Sequence, residues 1–389
     1  MRNIYSRLVM VLLILSLLMS PALSFAAEKT TVENKLVEID TAQWIANKFV
    51  VNNKSLRGDQ VVYHTSLYDI DDSVLGYYFD ILNENYLIGY IIVSATKERE
   101  PILEYGEGTI IDDFKNQTDR GMRTYYLKAL DYFYATDSKD LRSKFESIKQ
   151  NKINRLTDLK QSSNIEEKKS IDEEIQKMKN TQLKSLNKGS FEKEWITVVK
   201  DRKDVSVLST TEKVLSVTRI WQRTNGVTWE DSACGPATGA MIANYFKSRG
   251  YSIRDSSYYG GDAKFINHLW SKMAYWWGTS AMSFRSEMED HLNLDLSTHT
   301  FDAHGWDEPN FSIVKSQIDN NLPYGLRFET NSSADYSYHW VALIGYRTSS
   351  SGDFYAIKNP DGGQNNTGTK FISRATNEPY ADHVMIDVN

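Results

Sequence analysis

The chain of 389 residues is long enough for two or three domains of about 150 residues each. Hydrophobic residues make up 41% and charged residues 25%, an ordinary globular balance that excludes a wholly disordered, collagenous or multi-span membrane chain. Lys and Arg number 45 against 51 Asp and Glu, a net charge of −6, so there is no global basic field to hold nucleic acid or an anionic membrane. The single cysteine, Cys234, excludes an intramolecular disulfide and any multi-cysteine metal site.

The N-terminus places basic Arg2 and Arg7 before an apolar run from Leu8 to Met19, followed by Pro21-Ala22-Leu23-Ser24-Phe25-Ala26-Ala27. A basic start, an apolar stretch of about 12 residues and a small-x-small exit describe a secretory signal cleaved after Ala26 or Ala27. The apolar run is short against the roughly 20 residues of a membrane span. We therefore expect residues 1–26 to be a signal peptide and the mature chain to be secreted or held at the cell surface, with no membrane span after signal removal. A lone thiol in an exported chain is either intermolecular or reactive.

Residues 27–138 mix a helical opening, Thr41 to Val50, with strand-like runs at Gly76–Leu82 and Leu87–Ser94 joined by Asn83-Glu84-Asn85, a hairpin connection. A further amphipathic helix is expected around Thr124 to Tyr134. These features describe a small α+β domain. Residues 139–212 form a charged helical connector and linker. Leu141, Phe145 and Ile148, then Ile171, Ile175 and Met178, recur at helical spacing, and Ser163-x-x-Glu166 supplies a capping box for the second of two helices. The absence of a sustained heptad disfavours a long coiled coil, and Val198 to Glu212 is expected to be linker. Residues 213–389 hold seven of the nine tryptophans and five of the seven prolines, the signature of a tightly turned domain with packed aromatics.

The chemistry concentrates around Ser232-Ala233-Cys234-Gly235-Pro236. Asp231 or Ser232 is suited to cap a helix, Pro236 suits its first turn, and Ala240, Met241 and Tyr245 continue an apolar face. Cys234 thus stands at a helix N-terminus, where the macrodipole and free N–H groups favour a thiolate and offer donors to an oxyanion. Acyl transfer also needs a base and a group to orient it. His339 heads the strand His339-Trp340-Val341-Ala342-Leu343-Ile344-Gly345-Tyr346. A hairpin through Arg347 to Gly352 would return the chain to Asn359-Pro360 beside it.

These elements, together with Gln222, resemble the papain-like cysteine peptidases, and in particular the bacterial family related to the double-glycine, or bacteriocin-leader, peptidases (cysteine-peptidase family thirty-nine). The resemblance covers roughly the last 180 residues. It implies an α+β fold in which a helix carrying Cys234 packs on an antiparallel sheet carrying His339 and Asn359. Cys234 is then the nucleophile, His339 the acid/base and Asn359 the orienter, where that branch usually carries Asp. Asp361 is an alternative orienter, and Gln222, twelve residues before the cysteine, matches the oxyanion glutamine across a longer loop. A second resemblance, carried by Gly89-Tyr90-Ile91-Ile92-Val93-Ser94-Ala95 and Pro101-Ile102-Leu103-Glu104-Tyr105-Gly106, is to the pro-domain of streptopain-type secreted proteases. It implies a segment that covers the cleft until it is removed.

The expected function is a secreted cysteine peptidase made as a proenzyme, acting on a peptide or protein substrate through a thioester, with no cofactor, metal or nucleic-acid partner. The alternatives are a cell-wall amidase or transglutaminase-like acyl transferase on the same scaffold, and a non-catalytic surface-interaction protein. His268, His291, His299 and His304 read as structural or surface residues, and His383 is a rival base. The oxygen-rich turn from Asp361 to Asn366 does not fit the twelve-residue calcium loop. Tyr275-Trp276-Trp277 and Trp340 read as core more readily than as substrate pocket.

Overall fold

A computed structural model describes residues 36–389, apart from 54–55, 110–120, 164, 201–209, 276, 296–297, 308 and 329–338, with the side chains of 162, 165–167, 170, 200 and 306–307 also outside the description. The expected signal peptide, Trp276 and the Glu166 side chain of the expected capping box therefore lie outside the described residues; Ser163 ends the preceding helix and donates its hydroxyl to Leu159 O at 2.9 Å. Leu36 to Asn389 form one compact unit.

Helix α1 (Ile39–Val51) buries Ala42, Ile45, Ala46, Phe49 and Val50, the i, i+3, i+4, i+7 stripe of an amphipathic helix. It packs on a meander of β1 (Gln60–Tyr68), β2 (Val74–Asn83), β3 (Tyr86–Ser94) and β4 (Ile102–Glu107). The β2–β3 connection closes as expected, with Glu84 and Asn85 at φ 49° and 67°, both left-handed as a type I′ turn requires. The helix expected around Thr124 to Tyr134 is instead a hairpin of β5 (Arg123–Lys128) and β6 (Asp131–Ala135). Aromatic side chains crowd both strands and suit a pleated surface better than a helix. The turn places Leu130 at φ 63°, a left-handed conformation that a branched side chain rarely adopts.

Three helices follow: α2 (Ser138–Ser162), α3 (Ile165–Asn180) and α4 (Glu192–Lys200). Asp137 caps α2 by accepting from Asp140 N at 2.8 Å. The seam between α2 and α3 consists of Ile153, Leu156, Ile171, Ile175 and Met178, with Trp277 packed against it. The stretch Val198 to Glu212, expected to be linker, contributes helix as far as Lys200 and strand β7 (Thr211–Val214) from Thr211.

The C-terminal elements are α5 (Cys234–Ser248), α6 (Ser256–Tyr259), α7 (Asp262–Met273), the short hairpin β8 (Ala274–Tyr275) and β9 (Gly278–Thr279), α8 (Ala281–Asn293), β10 (Phe301–Asp307), α9 (Phe311–Asp319), β11 (Tyr324–Phe328), β12 (His339–Ser349), β13 (Gly352–Lys358), β14 (Lys370–Ser373), α10 (Arg374–Asn377) and β15 (Ala381–Val388). The result is a mixed α+β fold with ten described α-helices. One large sheet runs β10-β15-β11-β12-β13-β14-β4-β3-β2-β1-β5-β6, with β7 also paired to β12. All its pairings are antiparallel except β1 with β5. The join between the N-terminal meander and the C-terminal sheet is β4 on β14, with Gly106 opposite Lys370 and Tyr105 opposite Phe371. Tyr105 stacks on Phe371 at 4.7 Å, so the core passes through this seam without a break.

Candidate active site

Helix α5 is buried almost throughout its first ten residues, and it packs against β12, α7 and α8. Its first residue is Cys234. The expected cap at Asp231 or Ser232 is not used. Residues Glu230–Ser232 form a 3-10 turn, Ala233 occupies the cap position, and no side chain caps the helix. Ser232 Oγ instead accepts the Trp270 indole N–H at 3.0 Å. The first-turn N–H groups are therefore left to the thiol: the backbone N–H groups of Trp340 and Gly235 reach the Cys234 sulfur. Gly235 lets Thr279 pack closely on the helix start, because a Cβ there would sit 2.5 Å from Thr279 Oγ1 and 2.6 Å from Thr279 Cβ.

Trp340 belongs to β12, so its N–H on the sulfur brings the residue after His339 against Cys234. Both faces of β12 are buried from Trp340 to Tyr346, as a central strand requires. The β12–β13 hairpin turns at Ser349 and Gly352 and returns Asn359 to His339, whose Nε2 lies 2.9 Å from Asn359 Oδ1. The Asp361 backbone N–H donates to the same Oδ1 at 2.9 Å, so that atom is the amide oxygen. His339 must then carry its proton on Nε2, which makes Nδ1 the basic nitrogen.

The alternative orienter Asp361 is engaged elsewhere, its carboxylate receiving Arg223 Nε at 3.2 Å. Gln222 is fully buried and stands beside the same turn, donating its backbone N–H to Pro360 O at 2.9 Å. Its side-chain amide donates one N–H to Glu230 O at 2.8 Å and has a second. The eleven residues between Gln222 and Cys234 form the turns and 3-10 segment that the twelve-residue spacing demands. The rival base His383 is remote in bonding: it is fully buried, with Nδ1 2.8 Å from the Tyr324 hydroxyl and Nε2 3.5 Å from Glu378. Trp340 is core as expected, stacked on Phe284 at 4.1 Å with its indole N–H on Thr279 O.

Several contributors carried no signal in the sequence. Arg219 grips the Asn359 turn from beneath, donating to Asn359 O at 2.6 Å and Asp361 O at 2.7 Å, and Trp221 donates to Gly362 O at 2.8 Å. Lys128, at the tip of the β5–β6 hairpin, is 2% exposed and lies over the Phe328 ring at 5.9 Å. Phe328 pairs with His339 across β11 and β12. Next to Lys128, the Ala129 N–H donates to Asn377 Oδ1 at 2.9 Å. The tip is anchored by buried Glu104, whose carboxylate receives Tyr90, Tyr126 and Tyr132 hydroxyls and the Leu130 N–H.

The electrostatics follow from this enclosure. Burial pushes the Cys234 thiol up to about 11, and the Asp361 charge adds to the rise. Burial also lowers His339 below the ordinary imidazole value, and the Lys128 charge depresses it further against the opposing effects of Asp361 and Asn359. Both shifts favour the neutral thiol and the neutral imidazole.

Residues 214–379 match the Peptidase_C39 like family, a match that points to cysteine peptidase activity in that region. No curated protein matches the chain significantly. Among solved structures, a Bacillus anthracis protein described as a C39-like peptidase aligns at 14% identity, covering 45% of this chain and 97% of its own, with a TM-score of 0.30. The digestive procathepsin L 3 of Tenebrio molitor larval midgut aligns at 14% identity over 61% of this chain and 98% of its own, with a TM-score of 0.23. Alignments that distant carry no argument about this site. Among the described residues no helix is long and apolar enough to cross a membrane.

Proposed function

From a C-terminal region of the Peptidase_C39 like family, we propose a secreted cysteine peptidase, made as a proenzyme, that hydrolyses peptide bonds through Cys234, His339 and Asn359. The observation that carries the reading is the bond from His339 to Asn359, made on a strand whose next N–H rests on the Cys234 sulfur. In this reaction His339 Nδ1 takes the thiol proton while Cys234 Sγ attacks the substrate carbonyl. The Cys234 N–H and the second N–H of the Gln222 amide receive the oxyanion. Collapse expels the amine, which takes the proton from Nδ1, and leaves a thioester. Water then attacks the thioester with Nδ1 as base, releasing the acid and restoring the thiol. Throughout, Asn359 Oδ1 holds the Nε2–H and stabilises the imidazolium that forms.

Residues 27–138 act in this proposal as the pro-segment. Its support is the β5–β6 tip, with Lys128 close enough to depress His339 and Ala129 bonded to Asn377. A second flank comes from the α2–α3 seam, which packs on Trp277 in the hairpin that leads to Thr279 and Gly235. The neutral thiol and imidazole suit a latent enzyme, since an exposed thiol needs its ion-pair partner to be reactive at neutral pH.

The test is N-terminal sequencing of the protein recovered from culture medium, followed by assay of that form on protein and on peptidoglycan. A start within residues 139–212 and the release of peptides support the proposal. Peptidoglycan fragments without peptides would select the amidase reading instead. A start at residue 27 in a form already fully active would sink the proenzyme.

A further inference from the structure

A second cluster of chemically capable side chains lies away from Cys234, between α7 and α8. Glu287 and His291 are four residues apart on α8 and so share a face, and His268 on α7 meets them across the helix pair. One ligand atom from each of the three lies within 4.8 Å of the others. His291 is 1% exposed. Its Nε2–H donates to Arg254 O at 2.8 Å, which fixes the tautomer and leaves Nδ1 as the nitrogen with the lone pair. That buried nitrogen has no hydrogen-bond partner among the described residues. A core imidazole with one nitrogen satisfied and the other empty is an unmet acceptor, which native proteins rarely leave. A bound cation would meet it.

From this geometry we propose that His268, Glu287 and His291 form a zinc site. Two imidazoles and one carboxylate are the donor set that zinc takes in three-ligand sites, with a fourth position left for water. Calcium and magnesium want all-oxygen shells. The Arg254 carbonyl on His291 is the kind of outer partner that orients a ligating histidine. Zinc bonds of about 2.0–2.2 Å place tetrahedral ligands about 3.3–3.6 Å apart. His268 and Glu287, both partly exposed, have the freedom to close that gap around the fixed His291. His268 is held for this by stacking on Tyr259 at 4.4 Å.

Charged neighbours bear on the site from both sides. Lys272 acts on Glu287 and His268, and Arg254 acts on both histidines. Arg254 is neutralised by a two-pronged pair with Asp295 at 2.7 Å, and Asp290 adds negative charge near Glu287. The consequence for the fold is a staple between α7 and α8. Helix α7 also carries Asn267 and Trp270, which bond to Gly226 O and Ser232 Oγ in the approach to Cys234, so the metal would stiffen the support behind the nucleophile.

The experiment uses the untagged chain carrying Cys234→Ala, which removes the thiol as a competing zinc ligand. Zinc is titrated against a chromophoric chelator, thermal unfolding is followed with and without zinc, and cobalt serves as a spectroscopic probe. One equivalent bound at micromolar free zinc, a raised Tm and a tetrahedral cobalt spectrum are expected. His268→Asn and Glu287→Gln, both at partly exposed positions, should fold as the parent does without metal. Each should weaken zinc binding by more than about tenfold, because losing a ligand costs more than losing an outer partner. Failure to bind zinc, or binding unchanged by either substitution, overturns the proposal.

Discussion

In the full-length chain the Cys234 thiol should resist alkylation far more than an ordinary cysteine. The ordinary value is 9.0, and burial with the Asp361 charge pushes this thiol up to about 11. Only the thiolate reacts, so at pH 8 the reactive fraction is about 100-fold smaller than that of a free thiol. Burial of the residue, only 1% exposed, slows the reaction further. The assay is the rate of iodoacetamide labelling from pH 6 to 11 on intact protein, repeated after proteolytic removal of residues up to the β7 region. The intact chain should show a rate that climbs through the alkaline range, and the trimmed protein should label at neutral pH as the thiol meets solvent and His339 charges. Asp361→Asn should move the intact profile to lower pH, because that carboxylate raises the thiol. A full-length chain labelled rapidly at pH 7 would refute the enclosure argument.

Other consequences are as direct. Asn359→Ala removes the acceptor for a hydrogen bond that becomes charge-assisted in the transition state, about 1.5–3 kcal/mol, so kcat of the trimmed enzyme should fall about tenfold to hundredfold with KM little changed. Asn359→Asp, which keeps an acceptor oxygen, should retain most activity, and equal losses in both variants would argue against the orienting role. Gly235→Ala drives a Cβ into Thr279 at 2.5–2.6 Å. It should cost about 1–3 kcal/mol of stability as an overpacked contact and impair hydrolysis, with Thr279→Gly restoring both; a Gly235→Ala protein with normal Tm and activity would show the contact to be soft. Glu104→Ala strips the shared acceptor from three tyrosine hydroxyls and the Leu130 N–H. It should destabilise the full-length chain by at least about 3 kcal/mol and speed Cys234 labelling as the β5–β6 tip loosens. Unchanged labelling would separate that tip from the site.

What the sequence made legible was local. Cys234 at a helix start follows from Gly235-Pro236 and the apolar face behind it, and the meeting of His339 with Asn359 follows from one short hairpin whose strands alternate as strands must. The helix expected at Thr124–Tyr134 failed because a two-residue turn closes on Leu130, a residue type that gives no turn signal, and because the buried carboxylate that holds its N–H lies 26 positions away. The grip of Arg219 on the Asn359 turn and the pairing of β4 with β14 join residues from 140 to more than 260 positions apart. No period or motif within a short window encodes such contacts. The choice between Asn359 and Asp361 as partner of His339 was open in the sequence for the same reason: Arg223, which engages Asp361, is far from it in the chain.

The proposed role of Cys234 as the nucleophile of a peptide-hydrolysing site is open to a direct test. Peptide hydrolysis by the trimmed protein should be assayed for wild type and for Cys234→Ala under mild reductant, with mass spectrometry of the wild-type protein trapped on a slow ester substrate. An acyl adduct on Cys234 in wild type is expected, with loss of hydrolysis in Cys234→Ala and the fold intact. Undiminished hydrolysis by Cys234→Ala would contradict that role.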